Sequence, residues 1–286
     1  MAGFFGFFDY TKPGPGVPKD APPKRRIIVF FEVFSRKFWR LIRLNMIYAI
    51  SCLPLLAAWV IGLLAFADGK TSLGEFAFLL MIGYAINIFT IGPATAGFTY
   101  VLRNFSREEH AWVWSDFKEH ALKNYKQAFI VSLIDLVVAV VMYVNLQFYT
   151  QLAAQNFYYG ILKYIVLGML ILYIIMHFYI YQLMVTFQLT IKQIFKNAFI
   201  FTMLKLPRNF GMLVLCIIVL CAFYYYYIVG ILLTPFLVLS TIGFMINFYV
   251  YPTLKKYMID KVEEMENKTE ETENHDLEQG SDDVTA

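Results

Sequence analysis

Of the chain's 286 residues, 59% are hydrophobic and 16% charged, against roughly 25% charged in soluble domains. This excludes a water-soluble globule. The net charge of +3 conceals a split, since residues 1–259 carry 22 Lys/Arg against 10 Asp/Glu while residues 260–286 carry 2 against 11.

At the N-terminus, Phe4, Phe5, Phe7 and Phe8 precede a Pro/Gly-rich stretch over 11–23, whose composition favours an extended tether. Lys24, Arg25, Arg26, Arg36, Lys37, Arg40 and Arg43 then interleave with Phe30, Phe31, Phe34, Phe38 and Trp39 at helical spacing. The pattern predicts a basic amphipathic helix lying in the membrane surface, suited to anionic lipid or to docking a partner protein. Residues 1–43 therefore read as a cytoplasmic segment, 44–257 as a transmembrane domain and 258–286 as an acidic tail.

Uncharged runs over 44–66, 76–102 and, with a single acid, 128–148 are long enough to cross a bilayer, as is 161–189 apart from Lys163 near its start. The uncharged run 209–254 has 46 residues, enough for two helices of ~20 residues with a tight turn near Leu233-Thr234-Pro235. Only helices satisfy every backbone polar group along such runs in lipid. The fold class expected is therefore all-α, a polytopic membrane protein with about six transmembrane helices and basic amphipathic cytoplasmic segments. Gly92 and Pro93 interrupt the second run, which predicts a kink or break there. Between the second and third runs, Ser106 and Glu109 have capping-box spacing. A further helix is expected from Ser115 past Tyr125, with Trp114, Phe117, Ala121, Leu122 and Tyr125 as its apolar stripe.

With six spans, 22 Lys/Arg fall on the side of both termini and only Lys70 and Lys163 on the other. The positive-inside rule then places both termini in the cytoplasm of a multi-pass plasma-membrane protein. The acidic tail over 258–286 carries too much charge for a packed core, and is expected to be solvated or to latch onto the basic face.

Chemistry-bearing residues are few. Asp135 is the one acid inside a predicted span, nine residues past Lys126 and so ~13 Å into the membrane. An ionisable group at that depth needs a partner or water. His177, Asn247 and Asn87 are its candidate partners, in an interhelical clamp or in a proton or substrate path. No phosphate-binding loop, His-Glu-x-x-His pair or Gly-x-Ser-x-Gly elbow occurs. The expectation is a protein that is not an enzyme, with no cofactor, no metal site and no nucleic-acid partner.

Three stretches carry a resemblance: Gly6-Phe7-Phe8-Asp9-Tyr10-Thr11-Lys12-Pro13-Gly14-Pro15-Gly16-Val17-Pro18-Lys19, then Phe31-Glu32-Val33-Phe34-Ser35-Arg36-Lys37-Phe38-Trp39, and residues 90–105 with Arg107-Glu108-Glu109-His110. They resemble the YesL-like membrane proteins, a family classed as a domain of unknown function, over residues 3 to about 257. The resemblance implies a bacterial plasma-membrane protein linked to carbohydrate uptake, since genes of that family often lie beside those of carbohydrate ABC importers. It supplies no catalytic residues. The expected function is an accessory or assembly factor for such an importer, whose subunits would be its partners together with anionic lipid. The alternative is a small secondary transporter or channel that uses the Asp135 region.

Overall fold

The computed structural model describes residues 24–154 and 156–261. The aromatic tip, the Pro/Gly tether and the acidic tail beyond 261 lie outside them. Among the described residues there are helices and no strand. The protein is an all-α, polytopic membrane protein with four helices long and apolar enough to cross a bilayer, or up to six if each of two bent helix pairs counts as one span.

Two compact units divide the chain, one up to Arg36 and one from Lys37 onward. In the described part of the first, Lys24 is ion-paired with Glu32 at 2.6 Å and Phe30 stacks on Phe34. Helix α1 (Arg26–Ser51) begins there and continues into the second unit, where Leu41, Leu44 and Asn45 form its buried stripe.

The span expected over 44–66 is sharply bent. α1 ends at Ser51, and α2 (Leu53–Ala67) leaves it at 89°. Pro54, in the first turn of α2, has no N–H to donate back into α1 and its ring crowds the preceding turn, so the helix restarts in a new direction. Asp68, left-handed Gly69 (φ 68°) and Lys70 turn the chain, and a Ser72/Glu75 capping box starts α3 (Leu73–Ile86). Helices α2 and α3 pack as a hairpin.

A second bend, of 85°, separates α3 from α4 (Ile88–Ser106). It lies at Asn87 and not at Gly92 and Pro93, which sit inside α4. Asn87 Nδ2 (3.3 Å) and Thr90 Oγ1 (3.1 Å) both donate to the carbonyl of Ser51, tying the second bend to the first. Gly92 instead serves close packing: a Cβ there would strike the Ala128 carbonyl and the Ser132 hydroxyl. α4 is the central helix, with thirteen of its nineteen residues buried against its neighbours.

Ser106 closes α4 rather than opening a new helix, its hydroxyl donating to the Arg103 carbonyl (2.7 Å), so the expected capping box is absent. After Glu108, in the left-handed region at φ 61°, comes α5 (Val113–Lys123), held at its start by Asp116, which accepts from the Trp112 N–H. Two long antiparallel spans follow, α6 (Tyr125–Ala153) and α7 (Phe157–Thr186), then α8 (Ile191–Leu204) with a Thr190/Gln193 capping box, and α9 (Leu206–Phe223).

The last reversal also departs from expectation. The chain turns at Tyr224-Tyr225-Tyr226, and α10 (Tyr227–Leu233) passes Thr234 and Pro235 without turning back. A π-helical turn, Thr234–Val238, links α10 to α11 (Leu239–Leu254), so that Tyr227–Ile259 forms one span. The wider turn accommodates the proline, and Asn45 of α1 repairs the backbone around it. Its Nδ2 donates to the Thr234 carbonyl (2.7 Å) and its Oδ1 accepts from the Ser240 N–H (2.6 Å), with the side chain fully buried.

Candidate functional site

Asp135 stands ten residues into α6, about 15 Å along the helix. Two side chains of α7, one turn apart, reach its Oδ1: the Tyr173 hydroxyl donates at 2.6 Å and His177 Nε2 lies at 3.0 Å. From α3 the Tyr84 hydroxyl donates to Oδ2 at 3.3 Å. Three helices therefore meet at one carboxylate.

His177 Nδ1 faces the Tyr173 carbonyl at 3.0 Å. A carbonyl only accepts, so Nδ1 carries a hydrogen. Bonding between Nε2 and the carboxylate needs one more proton, on either the imidazole or the acid. In both arrangements the pair is neutral overall, which is what allows two ionisable groups to share the interior of a membrane protein. The pair is partly open, with 13% of the Asp135 side chain and 28% of that of His177 accessible.

The other two predicted partners of Asp135 are elsewhere. Asn87 is committed to the Ser51 carbonyl at the paired bends. Asn247, on α11, donates to the Gly243 carbonyl of its own helix (2.8 Å). A place within a span does not fix the face on which a side chain lies. Tyr84 and Tyr173 were missed, although Tyr173 stands four residues before His177 and so on the same helical face.

The second candidate region is the end of the bundle where α6 begins and α7 finishes. A groove of about 740 Å³ there is lined by His120, Lys123, Lys126, Gln127, Phe187 and Thr190, among others, and its lining includes no carboxylate. Gln127 bridges its two sides by donating to the Leu189 carbonyl (2.9 Å). Burial holds the His120 imidazole below its usual range, and its ring stacks on Tyr100. At the same end Arg103 donates to the Val185 carbonyl (2.9 Å) and lies over the Tyr100 ring. Trp112 and Trp114, next to or in the first turn of α5, are 69% and 63% exposed.

Of the predicted basic surface, Arg25, Arg26 and Arg36 are exposed in the first unit, and Arg40 and Arg43 are exposed on the part of α1 that lies in the second. Lys24 is paired with Glu32, and Lys37 lies 5.2 Å from the centre of the Phe105 ring.

Residues 73–146 match the family model described as Protein of unknown function, DUF624. The match is to this segment alone. It covers about a quarter of the chain, and YesL-like membership fits that family. The DUF624 region comprises α3, α4, α5 and the larger part of α6, so it supplies Tyr84 and Asp135 but neither Tyr173 nor His177. No curated protein and no solved structure matches the chain.

Proposed function

We propose that this DUF624 protein is a non-enzymatic accessory or assembly factor of the bacterial plasma membrane, which docks a subunit of a carbohydrate ABC importer on its basic, cytoplasmic end. The observation that carries the reading is the groove between α5/α6 and the α7/α8 link, with Lys123 and Lys126 in its lining, no carboxylate there, and exposed Trp112 and Trp114 at the start of α5. A lysine-lined groove beside aromatic anchors suits an acidic segment of a partner, because aromatic side chains supply anchoring area and the lysines supply register and charge complementarity. The exposed Arg40 and Arg43 of α1 would hold anionic lipid of the cytoplasmic leaflet.

Affinity purification of the full chain in gentle detergent, followed by mass spectrometry, tests the reading. Importer subunits should be recovered with the natural protein and lost with the Lys123→Glu/Lys126→Glu variant. Recovery of the same subunits with both proteins, or of none with either, would count against it.

A second reading is favoured by one observation: the one-proton pair of Asp135 and His177 is partly open. A small secondary transporter could pass a proton through such a pair. Asp135→Asn separates the two, because a folded Asp135→Asn protein that docks the importer yet fails to support growth on the sugar would move the preference to the transporter.

A further inference from the structure

A cavity of about 350 Å³ lies among α1, α4, α7, α9 and the π turn with α11, at the small end of the ~300–1,000 Å³ typical of ligand pockets. Two amides in its lining are conspicuous. Gln182, 2% exposed, has its Nε2 buried without a hydrogen-bond partner, and Asn247, 4% exposed, has its Oδ1 in the same state. Buried polar atoms are almost always satisfied, because leaving one unpaired forfeits its hydration with no return. Here the two residues that hold an unpaired donor and an unpaired acceptor line one cavity.

The remaining lining limits what can bind. His177 borders the cavity, but both its ring nitrogens are committed, to Asp135 and to the Tyr173 carbonyl. No Lys, Arg, Asp or Glu lines it, so no countercharge exists for an ion. Thr99 adds a hydroxyl, the Thr95 hydroxyl being committed to the Ile91 carbonyl and to Tyr48, while Phe98, Leu239, Ile242 and Ile246 supply apolar walls. The Phe98 ring is held flat against Tyr48 with centroids 4.3 Å apart.

We propose that this cavity binds a neutral polyhydroxylated group, with Gln182 donating to and Asn247 accepting from its hydroxyls. A hydroxyl both donates and accepts, so a polyol satisfies both orphan atoms while laying its C–H faces on the apolar walls. Water alone would satisfy the amides but would leave those walls wetted. The polyol can come from a free sugar or from the glycosyl headgroup of a membrane lipid. The site is independent of the importer-docking groove, from which it shares no lining residue.

The test uses the full chain in phospholipid nanodiscs free of glucoside detergent. Two probes are compared, radiolabelled glucose by equilibrium dialysis and monoglucosyl diacylglycerol retained in native mass spectrometry. Saturable glucose binding identifies the free-sugar source, and selective retention of the glycolipid identifies the lipid-borne one. In either case Gln182→Met and Asn247→Leu should each weaken binding at least 10-fold while keeping the melting temperature near that of the natural chain, since each removes an unpaired buried atom and Asn247→Leu gives up only a bond to a carbonyl of its own helix. If one of them fails to fold, the near-isosteric Thr99→Val replaces it, with weakened binding again expected. The proposal is overturned if neither probe binds, if the folded variants bind as well as the natural chain, or if glucuronate binds as tightly as glucose.

Discussion

Replacing Asp135 by leucine removes the acceptor shared by Tyr173, His177 and Tyr84. Interhelical hydrogen bonds in membrane proteins average ~0.6 kcal/mol and reach ~1.7, and bonds to a charged group lie at the upper end. Two short contacts and one longer one at 3.3 Å therefore set a loss of about 2–4 kcal/mol for Asp135→Leu, including the cost of the donors left without partners. Asp135→Asn should lose only about 1 kcal/mol, because an amide nitrogen in the place of Oδ1 can donate one hydrogen to a neutral His177 Nε2 and the other to the Tyr173 hydroxyl oxygen, while the carbonyl in the place of Oδ2 accepts from Tyr84. The double variant Asp135→Leu/His177→Leu should recover part of the loss of the single leucine variant, since an orphaned polar partner costs more than a pair replaced by apolar groups. Steric-trap unfolding in bicelles measures all three. An Asp135→Leu protein as stable as the natural one, or an asparagine variant as unstable as the leucine variant, would refute the three-helix clamp.

Gly92→Val should lower stability by about 1–3 kcal/mol, the range for overpacking, because its side chain meets the Ala128 carbonyl and Ser132. Pro93→Ala should leave the α3/α4 bend in place, which electron–electron distance measurements between labels on the two helices would show; straightening would return the break to Pro93. Because burial lowers the pKa of His120 in the folded state, the unfolded chain takes up the proton first. Stability from this group is then full above its ordinary value near 6.5 and is lost as pH falls below it, so melting temperature should decline over that window and His120→Phe should flatten the decline. In a background without the native cysteines, a cysteine at Gly69 should react with an impermeant reagent applied to intact cells and one at Lys123 should not; the reverse pattern would invert the proposed orientation.

The spans of α6, α7 and α9 were legible from apolar runs alone, because a run free of charge has few alternatives to a helix in lipid. The bends were harder to read. Pro54 and Pro93 both lie inside apolar runs, yet only the first coincides with a bend, since the packing of Gly92 on α6 keeps the second inside a continuous helix. Thr234 and Pro235 look like a turn by composition, and what keeps them helical is Asn45, some 190 residues away in sequence. Asp135 was conspicuous by its charge, but two of its three partners are tyrosines in a chain that holds 20 of them. The orphan amides Gln182 and Asn247 carry no local signal at all, since being unpaired is a property of three-dimensional surroundings.

The carbonyl oxygen of Ser51 has a mechanical consequence. It ends α1 at one bend and receives both Asn87 and Thr90 from the other, so the two hinges of the α2/α3 hairpin share one latch. Neither hinge can rotate alone without releasing both bonds. The hairpin is thereby built to move as a single paddle, and Tyr84, three residues before the hinge at Asn87, couples its base to the carboxylate of Asp135. A displacement of α3 of even an ångström would break the 3.3 Å contact while leaving Tyr173 and His177 in place, so the paddle's position is registered in how many donors the acid retains.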